Sequence, residues 1–181
     1  TMIGGGGTDL LSYATATGAV TVNLSVFTAG GAEGSDSISG FLNVLGGSAG
    51  DIITGDTNDN IIDGGVGDDS LVGNGGTDTI SYVSATGAVT VNLSNSTASG
   101  AEGSDSFGGF VNILGSSAGS SLTGDSNGNS ITGGVGRDTI EGGLGADTMI
   151  GGGGTDLLSY ATATGAVTVN LSVFTAGGAE G

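Results

Sequence analysis

The chain has no cysteine and no histidine, and its 181 residues hold a single basic side chain, Arg137. Without cysteine there is no disulfide framework, so a secreted fold of this composition must be held together by something else. Without histidine, cysteine or lysine, the usual nucleophile–base pairs cannot be assembled, and the chain reads as a non-enzyme. Paired carboxylates alone can hydrolyse glycosides, but here they recur at fixed spacing and lack a distinctive pocket. A net charge of −17 argues against nucleic acid and anionic membrane surfaces as partners. No apolar run approaches the roughly 18 residues of a spanning helix, so no membrane insertion is expected. Aromatics make up only 4% of the chain and 42 residues are glycine. That composition alone also fits a disordered linker, and the choice rests on how regularly the apolar residues fall.

They fall very regularly. Residues 1–34 and 148–181 are identical, which sets a period of 147. A shorter period of nine lies inside it. From Gly46 the chain reads GGSAGDIIT, GDTNDNIID, GGVGDDSLV, GNGGTDTIS, and from Gly115 GSSAGSSLT, GDSNGNSIT, GGVGRDTIE, GGLGADTMI, GGGGTDLLS. Three isolated units begin at Gly4, Gly31 and Gly100. All twelve nonapeptides begin with Gly and are apolar at position eight. Position six is Asp in nine of them: Asp9, Asp36, Asp51, Asp69, Asp78, Asp105, Asp138, Asp147 and Asp156. It is Asn at Asn60 and Asn129 and Ser at Ser120.

These units resemble the RTX family, the haemolysin-type calcium-binding repeats, whose consensus is G-G-x-G-x-D-x-U-x. The resemblance covers about 60% of the chain. It implies an all-β fold, a right-handed parallel β-roll or β-solenoid stapled by several calcium ions. In such a roll two nonapeptides make one turn, so position-six side chains eighteen residues apart face each other. The implied pairs are Asp51 with Asp69, Asn60 with Asp78, Asn129 with Asp147, and Asp138 with Asp156, with Ser120–Asp138 a weakened or empty site. Asp9, Asp36 and Asp105 complete the implied metal ligands. The chemistry suits the resemblance. A hard cation takes carboxylate and carbonyl oxygens, glycine permits tight turns, and Asn at position four (Asn58, Asn127) tolerates the left-handed region better than Ala (Ala49, Ala118). Without cations the Asp edges repel and oppose compaction.

The pattern divides the chain into residues 1–12, the end of a preceding block; 13–45, a strand-rich spacer; 46–81, a block of four nonapeptides; 82–114, a second spacer; 115–159, a block of five; and 160–181, the start of a third spacer. Each spacer carries AVTVNLS, with Val20, Val22 and Leu24 alternating with polar residues, as do Val89, Val91, Leu93 and Val167, Val169, Leu171. By length, residues 13–30 make one full turn of the roll and residues 40–45 a shortened half-turn. That register brings Asp36 to Asp51 and Asp105 to Ser120. Thr8 to Thr77 spans eight half-turns and Thr77 to Thr155 nine. Either the strand face flips at each 147-residue period, or one half-turn is absorbed elsewhere.

The remaining polar residues read first as surface. Asp56, Asp59, Asp63, Asp68 and Asp125 are solvated groups or auxiliary calcium ligands, and Glu33, Glu102 and Glu180 are turn residues or extra calcium oxygens. Tyr13, Tyr82 and Tyr160 are stacking residues or a sticky surface, and Arg137 is exposed. The spacer pattern also resembles a segment of very long RTX adhesins. The expected function is therefore a structural, calcium-binding segment of an extracellular filament, matrix fibre or adhesin. Its expected partners are calcium and copies of itself along the fibre. The alternative is the secretion-and-folding module of a secreted enzyme or toxin.

Overall fold

The computed structural model describes residues 1–32 and 34–166. The third AVTVNLS segment (Val167, Val169, Leu171), Glu33 and Glu180 lie outside them. The described residues form nineteen short strands and no helix, as high glycine and β-branched content favours. The chain enters with β1 (Met2–Ile3) and β2 (Leu10–Ser12). The first spacer supplies β3 (Val20–Asn23), β4 (Thr28–Gly31), β5 (Gly34–Ser39) and β6 (Asn43–Leu45). The first block supplies β7 (Ile52–Thr54), β8 (Ile61–Asp63), β9 (Ser70–Val72) and β10 (Asp78–Ser81). The second spacer repeats the first as β11 (Val89–Asn92), β12 (Thr97–Gly100), β13 (Gly103–Gly108) and β14 (Phe110–Leu114). The second block closes with β15 (Ser121–Thr123), β16 (Ser130–Val135), β17 (Thr139–Glu141), β18 (Thr148–Gly153) and β19 (Leu157–Leu158).

Two sheets face each other. One has twelve strands in the order β1-β5-β4-β3-β7-β9-β13-β12-β11-β15-β17-β19; the other has seven, β18-β16-β14-β10-β8-β6-β2. Inside the blocks, successive strands alternate between the sheets. Each then pairs in parallel with the strand eighteen residues on, so Ile53 lies opposite Leu71, Ile62 opposite Ile80, and Leu122 opposite Ile140. This is a parallel β-roll. Period-two alternation sends one side chain per rung inward. Position eight is buried in ten of the twelve units, from Ile53, Ile62, Ile80 and Ile131 at 0% exposure to Phe107 at 8%. Burying one such Ile or Leu contributes roughly 1.5–3 kcal/mol. The two exceptions, Met149 and Leu158, sit on the last described rungs, where fewer neighbours cover them.

The spacers depart from the expected single turn. β3, β4 and β5 form an antiparallel meander within the twelve-stranded sheet, with Val22 opposite Ala29 and Ala29 opposite Asp36. β11, β12 and β13 repeat it. The chain thus runs two strands ahead, folds back twice, and re-enters the roll beside the strand it left. The tight connections are held by Asn23 Oδ1 accepting from Val26 N–H and by Asn92 Oδ1 accepting from Asn95 N–H, at 3.2 and 3.3 Å. Phe27 and Ser96 take positive φ there, 60° and 57°. Meander strands that carry Val20, Val22, Leu24 and Ala29 still deliver one apolar row to the core.

The odd half-turn is not absorbed within the described residues. β2 and β19 come from the same sequence, yet β2 closes the seven-stranded sheet and β19 the twelve-stranded one. β1 and β18 are exchanged in the opposite sense.

Candidate metal centre

Loops that carry position six run along the two edges of the roll. One edge holds Asp51, Asp69, Asp105, Ser120, Asp138 and Asp156; the other holds Asp9, Asn60, Asp78, Asn129 and Asp147. The expected eighteen-residue pairs are all brought together. Asp69 Oδ1 accepts from Asp51 N–H at 2.7 Å, Asp78 Oδ1 from Asn60 N–H at 2.8 Å, Asp147 Oδ1 from Asn129 N–H at 3.0 Å, and Asp156 Oδ1 from Asp138 N–H at 3.0 Å. The Ser120–Asp138 pair also forms, with Asp138 Oδ1 accepting from Ser120 N–H at 2.6 Å.

Two expected pairings at the spacers are overturned. Asp105 faces Asp69, thirty-six residues away, and accepts its N–H at 3.0 Å; it does not face Ser120. Asp51 accepts from Val20 N–H at 2.8 Å and does not pair with Asp36. Asp36 is half-exposed. The antiparallel meander causes both changes, because it places β13 beside β9 and β3 beside β7.

One carboxylate oxygen on each such Asp is thus spent on the neighbouring turn. On Asp51 and Asp105 the second oxygen is bonded as well, accepting from Gly47 N–H at 2.6 Å and from the Tyr82 hydroxyl at 2.8 Å. Oδ2 of Asp9, Asp69, Asp78 and Asp138 is buried without a hydrogen-bond partner. A buried carboxylate oxygen without a donor is costly, and an oxygen-seeking cation removes that cost. The glycine at position one makes room for it. A Cβ on Gly133 would stand 2.5 Å from both Asp138 Oδ2 and the Gly151 carbonyl; one on Gly73 would stand 2.6 Å from Asp78 Oδ2 and the Gly109 carbonyl. Position six therefore folds back over position one, and the carbonyl of the next turn joins it. Gly134 and Gly136, at φ 111° and 119°, let the intervening backbone curl. Among the described residues no three carboxylates converge on one point. Each cradle is a carboxylate with turn carbonyls, a donor set that suits calcium.

The electrostatics are those of an acid edge without counter-charge. Burial pushes the Asp69 carboxyl up to about 7, assisted by Asp105, Asp51 and Asp63 and opposed by the hydrogen bond from Asp51. Burial also raises Asp78, Asp105 and Asp138. Tyr82 is raised by burial and by Asp105, to whose Oδ2 it donates at 2.8 Å. A structural role for this tyrosine is what the geometry shows.

Asp63 has a role that the sequence pattern did not reveal. It is buried, accepting from Ser81 Oγ, Ser84 N–H and Ser84 Oγ at 3.2, 3.2 and 2.7 Å. Glu141 does the same with Ser159 Oγ and Thr162 N–H, at 3.3 and 2.8 Å. In both blocks a position-nine acid clamps the junction with the following spacer, eighteen to twenty-one residues later. Glu102 is likewise buried, accepting from Thr86 N–H at 3.1 Å. Asp59 and Asp68 accept from Thr77 and Ser104 N–H. Asp56 and Asp125 accept from Asn58 and Asn127 N–H, each at 2.8 Å. Those hydrogen bonds hold the position-four Asn without a positive φ, whereas Asn74, at position two, takes φ 73°. Arg137 is exposed.

Residues 45–80 and 123–158 match the family model of the RTX calcium-binding nonapeptide repeat, four copies. No curated protein matches the chain. The repeats, their roll and their cradles agree: these two blocks are RTX calcium-binding nonapeptide repeats.

Proposed function

We propose that the chain is a structural segment of an extracellular filament, matrix fibre or long adhesin, stiffened by calcium along both edges of the roll, with no catalytic role. The observation that carries this is the 34-residue identity at a period of 147. A unit copied without drift and laid into one continuous roll is suited to iteration, and a module that only assists secretion has no need of it. The cradles at Asp9, Asp69, Asp78, Asp138, Asp147 and Asp156 are where calcium would be held. Further copies of the unit, in one chain or end to end, are its natural partners.

Electron microscopy of the native protein in calcium tests this. At a strand spacing of roughly 4.8 Å, twelve and seven strands span about 53 and 29 Å between their outermost members. Thin filaments with an axial unit of about 40 Å are expected. Compact, monodisperse particles would refute the fibre reading and favour the secretion-and-folding module.

A further inference from the structure

Two position-six residues are unlike the rest. Asn60 and Asn129 are each 1% exposed, and neither amide has an unused atom. Asn60 Oδ1 accepts from Asp56 N–H at 2.8 Å; its Nδ2 donates to the Leu42 carbonyl at 2.9 Å and to Asp56 Oδ1 at 3.3 Å. Asn129 repeats this with Asp125 N–H at 2.8 Å, the Val111 carbonyl at 2.8 Å and Asp125 Oδ1 at 3.1 Å. The N–H₂ points where the Asp residues point Oδ1, at the turn eighteen residues before, and the amide oxygen takes the place of the orphaned Oδ2 beside the position-one glycine, where Asp56 or Asp125 N–H satisfies it.

The cause lies in the spacer. Leu42 and Val111 stand eighteen residues before Asn60 and Asn129, where a regular turn carries its own position six. Regular turns present an N–H there, and the next Asp accepts it. The shortened half-turns at residues 40–45 and 109–114 present a carbonyl instead. A carboxylate would set acceptor against acceptor, which only a cation could bridge. An amide answers the carbonyl directly. Asp56 and Asp125 complete the network. Burial alone would raise Asp125, but hydrogen bonds from Asn127 N–H and the Asn129 and Asn127 side chains outweigh it, and its carboxyl is lowered overall.

We propose that Asn60 and Asn129 are metal-free staples, amides that take the place of a cation and tie each spacer to its block at any calcium concentration. This rests on the calcium reading of the Asp cradles but makes a separate claim. Each block would then keep one closed turn when calcium is withdrawn, a place from which the rest can be rebuilt.

The test uses the full chain as parent, Asn60→Asp, Asn129→Asp and Asn60→Ala. Bound calcium is counted by equilibrium dialysis, and backbone protection is read by hydrogen-exchange mass spectrometry in EGTA and in calcium. In EGTA the parent is expected to keep protection around residues 56–61 and 125–130 while the Asp-held turns lose it. Each Asp substitution should add one bound calcium and make its turn exchange freely in EGTA. Asn60→Ala should leave the count unchanged and lose local protection in both conditions. An unchanged count in both Asp variants, or loss of the two Asn turns together with the others in EGTA, would overturn the proposal. A parent that takes up no calcium would sink the reading of the cradles, while exchange in EGTA would still decide for or against the staples.

Discussion

Gly133→Ala isolates the cradle from every other property of the roll. Gly133 does not take a positive φ, so alanine meets no backbone strain there. Its methyl, however, would stand 2.5 Å from Asp138 Oδ2, 2.5 Å from the Gly151 carbonyl and 2.7 Å from Asp138 Cγ. None of these is the yielding tip of a long side chain. Overpacking of this kind costs about 1–3 kcal/mol. The displaced carboxylate also gives up its ion. For a site of about 0.3 mM affinity in about 2 mM calcium, that removes roughly a further 1 kcal/mol. The sum, about 2–4 kcal/mol, corresponds to a fall in Tm of roughly 5–15 °C for a chain of this size. Gly153→Ala is the control, because nothing lies within 4 Å of its added Cβ and its φ is not positive; it should stay within about 0.5 kcal/mol of the parent. Thermal melts followed by circular dichroism, with and without EGTA, and calcium titration calorimetry measure both parts. If Gly133→Ala melts with Gly153→Ala and binds as much calcium, the cradle argument is wrong.

Without calcium, the Asp69 carboxyl at about 7 lies above its ordinary 3.8, and Asp78, Asp105 and Asp138 are raised in the same sense. Raised carboxyls stabilise the fold at low pH and lose that contribution as pH climbs through the folded value. In EGTA the β spectrum should therefore be strongest below about pH 4 and fade between about 4 and 7, and calcium should reverse the trend by holding the carboxylates ionised; a metal-free spectrum independent of pH would contradict this. Ser120→Asp should strengthen the second block. Ser120 Oγ now lies 3.4 Å from Ser116 N–H, where Asp51 Oδ2 receives Gly47 N–H at 2.6 Å. Calorimetry on the full chain should show added calcium affinity and a Tm gain of a few degrees, and no change would count against the pairing.

The roll was legible because its signals are local and repeated. Position eight names the core, and a step of eighteen names the facing Asp pairs. The meander was not legible because its second strand, Thr28–Gly31, reads as a glycine-rich turn and sends only Ala29 inward. Its tight connections pass through Phe27 and Ser96 at positive φ, where no glycine marks a turn. Missing the meander displaced Asp36 and Asp105 from their partners. Asp63 was also missed, although its signal was present. An acid at position nine, with Ser eighteen residues on and Ser or Thr twenty-one on, occurs at Asp63 and again at Glu141.

The exchange of sheets between identical residues means that one sequence period is half a structural period. In a chain that repeats the unit, the operation carrying one copy onto the next would be a two-fold screw along the roll. Each meander pair then lies on the flank opposite to the pair before it, like leaves set alternately on a stem. Five extra strands on one flank favour an arc, and reversal at the next unit bends it back, so two units together run straight. Diffraction from an oriented fibre would show this directly. The meridional spacing of about 40 Å would be accompanied by off-axis intensity at twice that distance.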